Sequence, residues 1–260
     1  MRTDFHTHVK LTQSVPFSQE YTEFMFRGAK QAGLDAICLT EHYGSSQLNL
    51  VYKYVQSLEK QGDCFLFEGL KIFTGLEIDI AESGHILVIG PIKDILSIYS
   101  ELEDRAKKKD HLLFDQLIKV IKHPSLLIGG GHPFRDVKGC TLKLYEHQIE
   151  QLEFLELNGR DLAHNKEYTE TQIYALSKKL GLYVVAGSDT HLAFQYGCVC
   201  TKFHKEHTKI DVLKQAIAQN QFTIEYSEFA VKQVPMASKM KKALKKIHDL
   251  GGDYVSVYID

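Results

Sequence analysis

Six short stretches of the chain set histidines and carboxylates at spacings that suit metal chemistry. DFHTH (4–8) places His6 and His8 at i and i+2 where a first strand ends, so both rings leave the backbone on one side. GSDTH (187–191) repeats that spacing with Asp189 and His191. GLEID (75–79) sinks Glu77 into an apolar run, where an unpaired carboxylate would cost several kcal/mol. Asp79 alternates onto the same side, so only one of the two acids need face a centre. TEH (40–42) ends an apolar run with Glu41 and His42, GHILVIG (84–90) begins one with His85, and GGGHP (129–133) ends one with His132 after three glycines. Imidazole nitrogens and carboxylate oxygens are the ligands that Zn, Mn and Fe accept. Each residue alone has a plainer reading, as a hydrogen-bonded core histidine or an acid paired with Lys or Arg. Together they would need every strand end to acquire a metal-type ligand independently. The set is large enough for two ions with one carboxylate bridging them.

The elements that must position these residues alternate. Ser18 can cap a helix whose apolar stripe is Tyr21, Phe24, Ala29 and Ala32, closed by Gly33. A short buried strand, AICLT (36–40), follows, then a helix over 48–60. KIFTGLEIDI (71–80) and HILVIG (85–90) read as strands, and helical segments fill the stretch around 93–122. SLLIGGG (125–131), FLELN (154–158) and LYVVAGSD (182–189) are further strands, separated by helices at about 142–151 and 165–180. Continuously apolar strands alternating with helices predict a parallel sheet covered on both faces. The expected class is α/β, and with seven or so repeats a closed (β/α) barrel is favoured over an open sheet. His6, His8, Glu41, His42, Glu77, His132, Asn158, Asp189 and His191 all fall at or just past strand C-terminal ends, which a barrel gathers on one face. A single domain over 1–260 is expected, with 205–260 as a C-terminal helical and strand extension.

Composition narrows the partners. The chain is 44% hydrophobic and 25% charged with a formal charge of −2, which supplies no general attraction for nucleic acid or an anionic membrane. No apolar run approaches the ~18 residues of a membrane span, and MRTDFHTHVK lacks a signal-like apolar core. Cys38, Cys64, Cys140, Cys198 and Cys200 are scattered, so a disulfide framework is not expected and a reducing cytoplasm is. In MASKMKKALKKIHDLGG (236–252), Met240, Ala243, Leu244 and Ile247 form an apolar stripe beside five lysines. That reads as a basic helix docked on the barrel, with guidance of nucleic acid the less favoured role. His111, His123, His147, His164, His204, His207 and His248 are expected in solvent, without matched partners.

In combination and order, the motifs resemble those of the polymerase-and-histidinol-phosphatase (PHP) superfamily, over about three-quarters of the chain. The resemblance implies a distorted (β/α)7 barrel with two or three metals at the C-terminal ends of the strands, and hydrolysis of phosphoesters. It implies one ion held by His6, His8, Glu77 and Asp189, a second by Glu77, His85 and His132, and a third position at His42 and His191. Trinuclear relatives add a His or acid shortly after HxH, where this chain has Lys10, Gln13 and Ser14, and Glu41 stands for the more usual Asp. Two ions (Zn, Mn or Fe) are therefore expected and the third is a weak site or none, with His42 and His191 left for proton transfer or phosphate contact. Related amidohydrolases also open with HxH but bridge with a modified lysine; Glu77 in the bridging position favours PHP. The expected activity is histidinol-phosphatase-like hydrolysis of a small phosphomonoester, with a metal-bridging hydroxide attacking phosphorus. Glu77, Asp189, His42 and His191 would form its catalytic set, and Arg135 and Arg160 would grip phosphate oxygens. A nuclease or phosphodiesterase releasing nucleotides, and a non-catalytic metal-binding regulatory module, are the alternatives.

Overall fold

Strand β1 (Arg2–Thr7) opens the chain, and α1 (Gln19–Gln31) follows with Ser18 as its cap, the hydroxyl accepting from Tyr21 N–H. After β2 (Ala36–His42) and α2 (Leu48–Gln56) the chain makes a hairpin, β3 (Glu59–Gln61) with β4 (Cys64–Phe67), which leads into the long β5 (Leu70–Asp79). The helix expected over 48–60 thus stops at Gln56, because Glu59–Gln61 are taken by strand pairing. β6 (His85–Gly90), α3 (Ile92–Leu102), α4 (Phe114–Ile121) and β7 (Leu127–Gly131) come next. This computed structural model describes residues 1–105 and 110–259, so part of the helical stretch expected around 93–122 lies outside the described residues. The helix expected at 142–151 is one turn, α5 (Glu146–Ile149). β8 (Phe154–Asn158) runs straight into α6 (Gly159–Leu180), which begins six residues before its expected start because the Asn158 side chain caps it on Arg160 N–H; a kink at Asn165 marks the boundary the sequence suggested. β9 (Tyr183–Gly187), β10 (Val199–Phe203), α7 (Ile210–Ala218), β11 (Phe222–Tyr226), α8 (Ala230–Asp249) and α9 (Tyr254–Ile259) complete the chain.

The sheet runs β11-β10-β1-β2-β5-β6-β7-β8-β9. β9 returns to β1 through a parallel bridge, Thr7 to Thr190, with Asp189 N–H donating to the His6 carbonyl (2.8 Å) and His8 N–H to that of Thr190 (3.0 Å). β1, β2, β5, β6, β7, β8 and β9 therefore make the nearly closed ring of a distorted barrel, and β10 and β11 extend the sheet from β1. One expectation needs correction: the sheet is mixed. β5, β6 and β7 pair antiparallel, because only a short connection (80–84) joins β5 to β6, too short for the crossover that parallel strands require. The reversal has a functional result. β6 begins where its neighbours end, so His85 at its first position lies on the same face as the ligands at the other strands' C-terminal ends.

Alternation sorts the strand residues into layers. Phe73, Leu87, Phe154 and Val185 cluster with Phe5 as an apolar plug inside the ring, and two or four positions along the same strands stand Glu77, His85, Glu156 and Asp189. An irregularity in the β1–β2 register between Asp4 and Thr7 lets Phe5 join the plug while His6 and His8 turn to the site, as bulges commonly re-aim side chains. The opposite faces of the strands carry Ile37, Leu39, Ile72, Leu76, Val88 and Leu155 into a second core beneath the helices.

α8 docks through Ala230, Val234, Ala237 and Leu244. Met240 and Ala243 are exposed and Ile247 half-buried, so the stripe expected from Met240, Ala243, Leu244 and Ile247 is rotated. Among the described residues no helix is long and apolar enough to cross a membrane, and the five cysteines are free thiols.

Candidate metal centre

The barrel face brings all eight expected ligands together. His6, His8, Glu77 and Asp189 offer ligand atoms within 4.8 Å of one another; so do Glu77, His85 and His132; so do His8, His42 and His191. Glu77 belongs to the first two groups and divides its oxygens between them. Its Oε2 stands 3.1 Å from His6 Nε2 and 3.3 Å from His8 Nε2. Its Oε1 faces His132 Nε2 at 3.3 Å and lies in close contact with His85 Nδ1. Asp189 Oδ1 closes the first group, 3.2 Å from His8 Nε2. The third group borrows His8 and contains no carboxylate.

Cross-strand register explains the assembly. His42 is directly opposite Glu77 in the β2–β5 ladder, Asp79 opposite His85, and His85 opposite Gly131, the residue before His132. Gly187 on β9 permits the close approach to β1, since a Cβ there would sit 2.6 Å from the Cβ of His6. His132 (φ 29°) and Asp189 (φ 51°) both hold left-handed backbone without being glycine, a strain that proteins concentrate at functional sites.

Carboxylates stand behind the histidines: Glu41 is the acid of TEH, whereas Glu156 belongs to none of the six motifs. Glu156, in the middle of β8, accepts from His6 Nδ1–H at 3.0 Å and from the backbone N–H of His132 at 2.8 Å. Glu41 accepts from the N–H groups of Val9 (2.6 Å) and Lys10 (3.1 Å) and lies 3.5 Å from His8 Nδ1. Each histidine of the HxH pair thus has an acid on its Nδ1 side, hydrogen-bonded for His6 and 3.5 Å away without a hydrogen bond for His8, and presents Nε2 inward, the side from which an imidazole ligates a metal. Asp4 accepts N–H bonds from His6 and Ser188, tying β1 to β9, and burial pushes its carboxyl up to about 7. Asp79 also faces the site, 3.2 Å from His85 Nε2.

Electrostatics favour a cation. Burial opposes charge on Glu77, yet His42, His85 and His6 hold its carboxyl well below the usual range. Asp189 is held low against the same penalty by Arg135 and His6. Burial draws His42 down to about 4 and lowers His132, and burial with Lys241 nearby lowers His191, so these rings are neutral near pH 7 with a lone pair available. His6, His8 and His85 are drawn the other way: burial notwithstanding, their carboxylate neighbours raise them, which is the field a divalent ion would also feel. Glu77 Oε2 and His132 Nδ1 are buried without a hydrogen-bond partner. Oxygen and imidazole donors around a shared, unsatisfied carboxylate fit Zn, Mn or Fe.

Above this floor opens a cavity of about 630 Å³. Arg160 lines its exposed mouth. Arg135 also lines it, but is buried and spends three of its five N–H donors on Asp161, Asp189 and Asn158. Its first task is holding Asp189. Lys10 points its ammonium to the carbonyls of Gln13 and Ser46. Two of the discounted histidines differ from expectation: His111 lines the cavity and His207 is buried edge-on against Phe203. Lys241 of α8 is the cavity residue that the rotated stripe concealed.

Histidines gathered around one shared buried carboxylate on a distorted (β/α)7 barrel are the architecture of a metal-dependent phosphoesterase. The PHP domain profile matches residues 4–228, and the chain belongs to that family; it is a hydrolase of phosphoesters. A protein of Thermoanaerobacter sp. (strain X514) named as a probable phosphatase is 26% identical over 203 residues, covering 75% of this chain and 80% of the relative. One of Caldicellulosiruptor saccharolyticus, also named as a probable phosphatase, is 25% identical over 221 residues, covering 77% and 81%. Among solved structures, PsfC from Pseudomonas syringae PB-5123 shares the fold at a TM-score of 0.73 and 21% identity, over 94% of this chain and 98% of that one. The lesion-specific endonuclease EndoQ of Pyrococcus furiosus shares it at 0.62 and 16%, over 84% and 56%.

Proposed function

We propose that the chain hydrolyses a small phosphomonoester with two divalent ions, one held by His6, His8, Glu77 and Asp189 and the other by Glu77, His85 and His132. The observation that carries this reading is the division of Glu77, one oxygen toward each group of imidazoles. Ions bound there supply Lewis-acid charge for the phosphoryl oxygens and acidify water. The protein's own part is positioning. Arg135 fixes Asp189, Glu156 and Glu41 fix the HxH rings, and Arg160 offers a guanidinium at the mouth. His191 donates Nδ1–H to the Lys10 carbonyl at 2.8 Å, which leaves Nε2 as an acceptor. It takes the proton released as water adds to phosphorus, and can return it to the leaving oxygen as the ester bond breaks; His42, likewise neutral, is the other candidate for that shuttle.

The cavity suits a small ester, and the relatives named as probable phosphatases agree with it. The fold shared with an endonuclease keeps diester cleavage as the rival. Assay of p-nitrophenyl phosphate against bis-p-nitrophenyl phosphate, with added manganese, separates them. Turnover of the monoester alone is expected; preference for the bis-ester would favour a nuclease, and turnover of neither a non-catalytic module.

A further inference from the structure

We propose that Lys241, on α8 and beyond the residues matched by the family, binds phosphoryl oxygens of the substrate over the metal centre. This rests on the phosphomonoester reading of the cavity. α8 docks through Ala230, Val234, Ala237 and Leu244, steps of four, three and seven, and position 241 lies where the seven-residue step should be divided by another inward residue. Small or apolar side chains occupy the other four positions. At the fifth the chain has a lysine, and it lines the cavity beside Arg160, His191 and Gln195.

Lys239, Lys242, Lys245 and Lys246 point to solvent, whereas Lys241 is half-buried. Among the described residues, Lys241 makes no ion pair or hydrogen bond with a protein acid. Asp189, the acid of the site that favours its charge most, is already bonded to Arg135 at 2.6 Å. Burial pulls the Lys241 ammonium down to about 8, with Asp189 opposing. A partly desolvated cation that faces a cavity without a carboxylate of its own is balanced by an anion entering that cavity. A metal-bound phosphate ester is such an anion, and an ammonium is a compact, mobile donor for it.

The test uses manganese-loaded full-length protein, comparing wild type, Lys241→Met, Lys241→Arg and the surface control Lys242→Met. Calorimetric titration with inorganic phosphate is set beside steady-state kinetics on p-nitrophenyl phosphate. Loss of a charge-assisted contact should raise both the phosphate Kd and KM roughly 10-fold or more in Lys241→Met. Lys241→Arg should recover part of the loss, and Lys242→Met should match wild type, with metal content and thermal midpoint unchanged throughout. Phosphate affinity and KM in Lys241→Met equal to wild type would overturn the assignment, as would a metal-loaded wild type that binds no phosphate. If wild type binds phosphate but turns over no monoester, the hydrolytic reading fails while the affinity comparison still decides the role of Lys241.

Discussion

The two ligand groups share Glu77 but are built to different standards. On one side His6 and His8 are wholly buried, Glu156 and Glu41 stand behind their Nδ1 atoms, and Arg135 holds Asp189. On the other, His85 leans on Asp79, whose side chain is 26% exposed, and His132 has no partner for its buried Nδ1. In the first group Glu156 and Arg135 fix His6 and Asp189 by hydrogen bonds, while Glu41 stands 3.5 Å behind a His8 Nδ1 that makes none. In the second, His85 and His132 contact Glu77 and one another, with the half-buried Asp79 behind His85. Supported ligands bind tighter because less order is lost on binding, so the first position should have the higher affinity.

Breaking the shared element should have the largest effect. Glu77→Gln removes the bridging charge from both groups, and kcat/KM for p-nitrophenyl phosphate should fall about 10⁴-fold, on the order of 5 kcal/mol in transition-state stabilisation. Steady-state assay with excess manganese checks it, and a loss under 10-fold would remove Glu77 from the bridging role. Breaking the supports should sharpen the asymmetry. Glu156→Gln should weaken the tighter ion roughly 10- to 100-fold, while Asp79→Asn should weaken the looser one by less. Competition with a chromogenic chelator reads both; equal effects would mean that the two groups are not differently supported.

Much of this was legible in the amino-acid sequence, because burying acids and imidazoles at strand ends is too costly to occur without a purpose. The seven ring strands and the ligand motifs all follow from that cost and from periodicity. Glu156 obeys the same logic as Glu77, an acid inside an apolar strand, but FLELN also reads as an ordinary short strand whose Glu faces solvent. The direction of β6 is not written in its own residues: HILVIG is equally apolar either way, and only the length of the preceding connection hints at the reversal. Arg135 stands two residues past HisPro, a place in sequence that suits a phosphate grip, yet its neighbours in space are Asp161, Asn158 and Asp189. Lys241 was hidden by its surroundings, one lysine of six on a helix whose inward face is set by tertiary packing.

The most direct measurement is anomalous diffraction from crystals of the manganese-loaded protein grown without chelator. Two peaks flanking the Glu77 carboxylate are expected, one bounded by His6, His8 and Asp189 and the other by His85 and His132. Side chains paired only with one another, with no anomalous peak between them, would contradict the claim that this face is a metal centre.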